Sequence, residues 1–239
     1  MRVKVSKSGE EREVIYQEER WEILASLREL AREVMSSLME FGIDSMAHGS
    51  IARGDVHRRS DVDVFIPAIV PSYLVEMALE KFQIIERELI QAAPWHLPKG
   101  RILLENGVEV TFPISKPKEI ELEFYRFGGA ITLREISEKR RVPGIDKRLM
   151  VILPTKKGHR EFSVIGREKE ASKLVGVSQD IIRERIQVLT RRDRIGRTGI
   201  YLRRGLKPEE NFEEVFLKIC SSCLLYTSPS PRDLSTSRM

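Results

Sequence analysis

The chain has 239 residues, a net charge of +5, 41% apolar and 32% charged residues, room for one large folded unit or two small ones. No run of about 18 apolar residues occurs, which excludes a helical membrane span. The opening MRVKVSKSGEEREV lacks the apolar core of a secretion signal, so a cytoplasmic protein is expected. The charge is uneven: residues 1–138 hold 18 Lys/Arg against 24 Asp/Glu, whereas residues 139–207 hold 20 against 7. A basic block of that size favours a polyanionic partner.

Glu11 to Phe41 reads as one long amphipathic helix, with Ile15, Ile23, Leu27, Leu30, Val34, Leu38 and Met39 at helical spacing and Gly42 as its stop. Ile43–His48 and Asp61–Ile66 read as strands. Pro71–Ala92 is predicted as a second long helix, with Leu74, Ala78, Phe82, Ile85 and Leu89 on one face. Arg101–Glu105 and Val108–Ile114 flank Asn106-Gly107, a two-residue hairpin signal. Residues 11–115 thus form a small α+β unit, a sheet flanked by helices. Residues 116–160 form a connecting region, with a short helix over Thr132–Lys139 and a strand over Leu149–Leu153. Beyond it, Arg167–Val175 is helical, Gly176-Val177 is a tight turn, and Ser178 caps a helix running to about Arg191. Ile195 to Arg203 then reads as two short strands around a glycine turn. Residues 161–218 are expected to form a winged helix-turn-helix-like domain.

The chemistry concentrates in Asp61-Val62-Asp63-Val64-Phe65-Ile66. Side chains alternate on a strand, so Asp61 and Asp63 share one face while Val62, Val64 and Ile66 take the other. Two carboxylates so placed repel unless a cation lies between them, and magnesium or manganese suits oxygen ligands. Val108-Glu109-Val110-Thr111-Phe112 has the same alternation; if the two strands pair, Glu109 becomes a third carboxylate, a set suited to two metal ions. Upstream, His48-Gly49-Ser50-Ile51-Ala52-Arg53-Gly54 ends a strand and opens a short helix. Gly49 would admit a phosphate close to the backbone, with Ser50, Arg53 and Ser60 as further nucleotide-binding candidates. His48, His57, His96 and His159 show no zinc-ligand spacing; His48 reads as a turn residue. On the second helix, Gln179, Arg183, Arg185 and Gln187 are candidates for base contacts. Arg191, Arg192, Arg194 and Arg197 are candidates for phosphate contacts with DNA or RNA.

Gly49-Ser50, ten residues, Asp61-Val62-Asp63 and a later carboxylate strand together resemble the DNA polymerase β-like nucleotidyltransferase superfamily, its minimal branch most of all. The resemblance covers residues 20–115. It implies transfer of a nucleotidyl group from a nucleoside triphosphate, ATP among them, to a hydroxyl with magnesium, with Asp61, Asp63 and Glu109 as catalytic and metal-binding residues. Glu109 departs from the family, where aspartate is common. The whole chain resembles archaeal predicted nucleotidyltransferases with an appended helix-turn-helix-like region, and an RNA end is one acceptor the basic half suggests. CCA-adding enzymes share the motif but are longer. A rival reading is a winged-helix DNA-binding regulator whose first domain senses a nucleotide or is inactive; a third is a toxin–antitoxin component that modifies a protein. The ending LLYTSPSPRDLSTSRM has no hydrophobic period and resembles translated sequencing-adapter peptide. Residues 220–239, with Cys223 and the neighbouring Cys220, are therefore expected to be a non-native tail.

Overall fold

Leu24, Ala31, Val34, Met35 and Leu38 are buried along one stripe of a 23-residue helix, and that stripe is where the fold is anchored. The computed structural model describes residue 5, residues 11–196 and residues 199–227, with side chains to residue 222. In chain order the elements begin with β1 (Arg12–Ile15), α1 (Glu18–Glu40), β2 (Met46–His48), α2 (Ser50–Arg53), β3 (Val62–Phe65), α3 (Ser72–Ala78), β4 (Ile84–Gln91), β5 (Lys99–Leu104) and β6 (Val108–Pro113). They continue with α4 (Glu119–Phe127), β7 (Ala130–Thr132), α5 (Leu133–Ser137), β8 (Gly144–Ile145), β9 (Met150–Thr155), β10 (Gly158–Ser163), α6 (Glu168–Val175), α7 (Gln179–Ile195), β11 (Leu202–Gly205) and α8 (Phe212–Thr227). The mixture of helices with a mixed sheet is an α+β fold.

The larger sheet runs β11-β4-β5-β6-β3-β2-β7, with β3 and β6 parallel and the other neighbours antiparallel. Its inner face carries Ala47, Val64, Ile102, Val110, Phe112 and Ile131, all essentially without solvent contact, and packs on the apolar stripe of α1. Alternation then sends Asp63, Glu109 and Arg101 to the other face. Gly100 is needed where Phe112 crosses it: a Cβ there would lie 2.3 Å from the Phe112 ring. A smaller antiparallel sheet, β1-β10-β9-β8, shares a second core with α4, α6 and α7 through Phe127, Val151, Phe162, Ala171, Ile181 and Ile182.

Three expected elements differ. The helix expected from Glu11 starts at Glu18, because Arg12–Ile15 completes the edge of the smaller sheet beside β10. The helix expected over Pro71–Ala92 ends at Ala78, and Ile84–Gln91 becomes β4. Its sequence satisfies both periods, and the strand wins by satisfying the backbone of β5 and setting Glu86 and Glu88 beside Arg101. Of the two short strands expected around Gly199, the described residues hold one, β11, which pairs with β4 rather than standing as a wing. The segment after it returns to the larger sheet: Phe212 meets Phe112 edge-on at 5.1 Å, and Glu213 accepts hydrogen bonds from the Ser72 amide and hydroxyl. The hairpin at Asn106-Gly107 forms, its turn closed by the Gly107 N–H on the Leu104 carbonyl with Gly107 at φ +82°. No helix among the described residues is long and apolar enough to cross a membrane.

Candidate active site

The site is set by strand register. On β3, Val62, Val64 and Phe65 are buried, Asp63 is partly exposed, and Asp61 lies exposed just before the strand. Asp63 is paired with Glu109 on β6 and with His48 on β2, and directly paired residues project to the same face. The structure therefore brings Asp61, Asp63 and Glu109 together on the polar face. Burial, then Glu109 and Asp61, raise the Asp63 carboxyl from its ordinary 3.8 to about 6, against the opposing charges of Lys147 and Lys99. His48 lies in β2 rather than in a turn; burial, with Lys99, Arg53 and Lys147, lowers its imidazole to about 3, so it is neutral at pH 7.

Glu109 is held from the far side. Arg101 Nε donates to its Oε2 at 2.6 Å, while the same guanidinium reaches Glu88 at 2.6 Å and Glu86 at 3.0 Å. Arg203 of β11 donates to the other oxygen of Glu88 at 2.8 Å. This ladder of alternating charge runs across the sheet from its edge to the carboxylates. Burial works against the Arg101 charge, and its bonds to Glu86 and Glu109 outweigh that penalty. Among the described residues, no three His, Cys, Asp or Glu side chains are gathered closely enough to enclose an ion. Repulsion from Glu109 and Asp61 adds to burial in raising Asp63, and it is the kind of excess negative charge that a divalent cation with oxygen ligands would offset.

The other sequence candidates separate. Gly49 takes φ +83°, donates its N–H to the Gly129 carbonyl at 2.9 Å, and a Cβ there would meet nothing within 4 Å, so the turn borders open space. Ser50 follows as the first residue of α2, partly exposed. Arg53 is turned inward: it is buried, pairs with both oxygens of Asp55 at 2.9 and 3.0 Å, and donates to the Gly128 carbonyl. Ser60 closes the turn before Asp61, its hydroxyl accepting from the His57 N–H at 3.0 Å. Gln179, Arg183, Gln187, Arg191, Arg192 and Arg194 all lie on α7; Arg183, Gln187, Arg191 and Arg194 form an exposed stripe. Arg197 lies outside the described residues. Arg185 instead lies over the Phe124 ring at 4.9 Å.

Three residues at the site escaped sequence reading. Tyr125 of α4 stacks on Phe65 at 3.6 Å and meets His48 edge-on at 4.9 Å, covering the sheet beside Asp63. Lys99 donates to the Tyr125 hydroxyl at 3.1 Å. Lys147 is exposed in the turn between β8 and β9, where Arg148 pins the backbone through Asp146 and Glu161, each at 2.6 Å. The smaller sheet delivers Lys147 across some 80 residues of sequence, and no local pattern signals it.

Residues 27–105 match the family model described as nucleotidyltransferase domain. No curated protein matches the chain. The matched stretch contains Gly49, Ser50, Asp61 and Asp63 and ends four residues short of Glu109, whose place beside Asp63 comes from the β3–β6 register. Residues 27–105 are therefore a nucleotidyltransferase domain, of the minimal nucleotidyltransferase superfamily.

Proposed function

We propose that this protein transfers a nucleoside monophosphate from a nucleoside triphosphate to an acceptor hydroxyl, an RNA end being the acceptor its basic half favours. The reading is carried by the register that sets Asp63 beside Glu109, with Lys99 and Lys147 opposite in charge and close enough to oppose part of the rise in the Asp63 carboxyl. Asp61, Asp63 and Glu109 would hold magnesium or manganese, which when bound supplies charge neutralisation at the α-phosphate and acidifies the acceptor hydroxyl. In the step itself the acceptor oxygen attacks the α-phosphorus, the bond to the β-phosphate oxygen breaks, and pyrophosphate leaves with the electron pair. Glu109 accepts the hydroxyl proton as general base, its orientation set by Arg101. Gly49 leaves room for the triphosphate backbone and Ser50 offers it a hydroxyl. Arg53, fixed on Asp55, serves this turn structurally, and the positive charge facing the triphosphate falls to Lys99 and Lys147. Use of ATP or another cellular triphosphate fits a cytoplasmic setting.

The exposed stripe Arg183, Gln187, Arg191 and Arg194 lies on the second helix of a helix-turn-helix-like pair and supports contact with nucleic-acid phosphates. It also supports the rival, a DNA-binding regulator that senses a nucleotide without turning it over. One experiment separates them. The protein is incubated with each α-³²P-labelled triphosphate, magnesium, and total cellular RNA and protein. Label on a macromolecule, lost in Asp61→Ala, supports the enzyme and reports the acceptor class. No transfer by a folded protein that retains DNA binding in Asp61→Ala overturns it for the regulator.

A further inference from the structure

Trp95 is the most exposed large apolar side chain of the described residues, at 71%, yet the loop that displays it is firmly tied. The Gln91 amide donates to the Pro94 and His96 carbonyls at 3.0 and 2.8 Å, and the Leu97 N–H donates to Glu121 at 2.7 Å. Lys118 reaches the Trp95 carbonyl at 3.4 Å. Tyr201, 59% exposed, stands at the same corner of the sheet: its N–H donates to the Ala92 carbonyl at 3.3 Å, one residue before β11 pairs with Gln91. Leaving an indole in water on a rigid loop forgoes the burial that aromatic side chains ordinarily gain. Lys118 supplies a cation at the Trp95 carbonyl, and the exposed Arg191 and Arg194 precede Tyr201 by ten and seven residues in the sequence. Glu121, close by, already accepts from the Leu97 and Lys118 amides.

Exposed flat rings beside a cation, in a basic part of the chain, match the chemistry of a nucleic-acid single strand, whose bases stack on aromatic faces while its phosphates follow positive charge. A duplex hides its base faces, and a folded protein partner has no matching repeat of ring and phosphate. The corner also connects to the carboxylates. Lys99, four residues beyond Trp95, bonds Tyr125, which lies against Phe65 and His48, and His48 is in register with Asp63. Along β6, Pro113 opposite Lys99 is four residues from Glu109, about 13 Å at the strand rise. We propose that Trp95 and Tyr201 form a stacking platform that holds the single-stranded segment of a nucleic-acid acceptor leading to the carboxylates. As an acceptor site the platform rests on the transferase reading; as a binding surface it does not.

The test uses the full chain carrying Asp63→Asn, so that binding is read without turnover, and titrates it with fluorescein-labelled oligo-U RNA, oligo-dT and a blunt duplex of equal length. The expected result is single-strand binding with quenching of tryptophan emission. Trp95→Ala in that background should abolish the quenching and weaken single-strand binding by about tenfold or more, because one base–ring stack is worth that much. Tyr201→Ala should weaken it similarly, and Arg191→Gln with Arg194→Gln should flatten its salt dependence. RNA bound more tightly than DNA would identify the acceptor as RNA; the reverse order would identify it as DNA. Equal binding by Trp95→Ala, a duplex that binds as well as a single strand, or binding of neither would overturn the platform. So would label delivered by the active protein to a protein acceptor with Trp95→Ala unimpaired, which would leave the transferase reading standing. Single-strand binding that depends on Trp95 in a protein showing no transfer would sustain the platform and refute the transferase.

Discussion

Asp63 should destabilise the folded protein at neutral pH. Its carboxyl is raised from 3.8 to about 6 by burial and by Glu109 and Asp61, so its charged form is disfavoured in the fold relative to the unfolded chain. At about 1.4 kcal/mol for each tenfold change in proton affinity, the full displacement corresponds to about 3 kcal/mol. The group binds its proton more tightly when folded. Its contribution is therefore fully present below about pH 4, falls as pH rises through the interval to about 6, and is absent above it. Asp63→Asn removes the titration while keeping a side chain of the same shape. Because the repulsion is shared with Glu109 and Asp61, the variant should exceed the wild type in stability by about 1–3 kcal/mol at pH 8 and by much less at pH 4. Urea unfolding of both proteins at the two pH values, with a chelator present, measures this difference. Manganese added at pH 8 should then restore the wild type and leave the variant unchanged. A stability difference that is the same at both pH values, or a variant weaker than wild type at pH 8, would refute the electrostatic argument.

Arg101→Gln leaves Glu86, Glu88 and Glu109 clustered without their shared cation and should cost about 3 kcal/mol in urea unfolding; Glu88→Gln added to it should recover part of that loss. Gly100→Ala forces a Cβ into the Phe112 ring and should destabilise by about 1–3 kcal/mol, with relief when Phe112→Leu is combined with it. Lys147→Ala, on an exposed turn, should leave thermal stability nearly unchanged and raise the KM for triphosphate, measured by initial rates. Arg53→Ala opens a buried pair with Asp55; it should lower the melting temperature by several degrees, and a soluble variant of unchanged stability would contradict the structural role given to Arg53.

The carboxylate motif was readable in the sequence because period-two alternation fixes which side chains share a face, and Val62, Val64 and Val110 left little choice for Asp63 and Glu109. What alternation could not supply was the neighbour: that β3 lies parallel to β6 rests on contacts between residues some 45 positions apart. Residues 84–91 were ambiguous for a different reason. Ile85 and Leu89 fit a helical face as well as a strand, and only the waiting edge of β5 decides between them. Arg53 looked like a ligand because arginine beside a glycine turn often binds phosphate, but its partner Asp55 lies two residues on and holds it inward. Tyr125 and Lys147 carry no motif; they reach the site through the packing of α4 on Phe65 and the Asp146–Arg148–Glu161 brace.

Nucleotidyl transfer at the face shared by Asp61, Asp63 and Glu109 is the proposal on which the other roles depend. Its most direct test measures, in one reaction with magnesium and a cellular RNA fraction, the pyrophosphate released against the nucleoside monophosphate incorporated, for the wild type and for Asp63→Asn. The expected result is equal amounts of both products with the wild type and a loss of at least a hundredfold in the folded variant. Pyrophosphate and incorporation unaffected by Asp63→Asn, or no incorporation into any acceptor with any triphosphate, would contradict it.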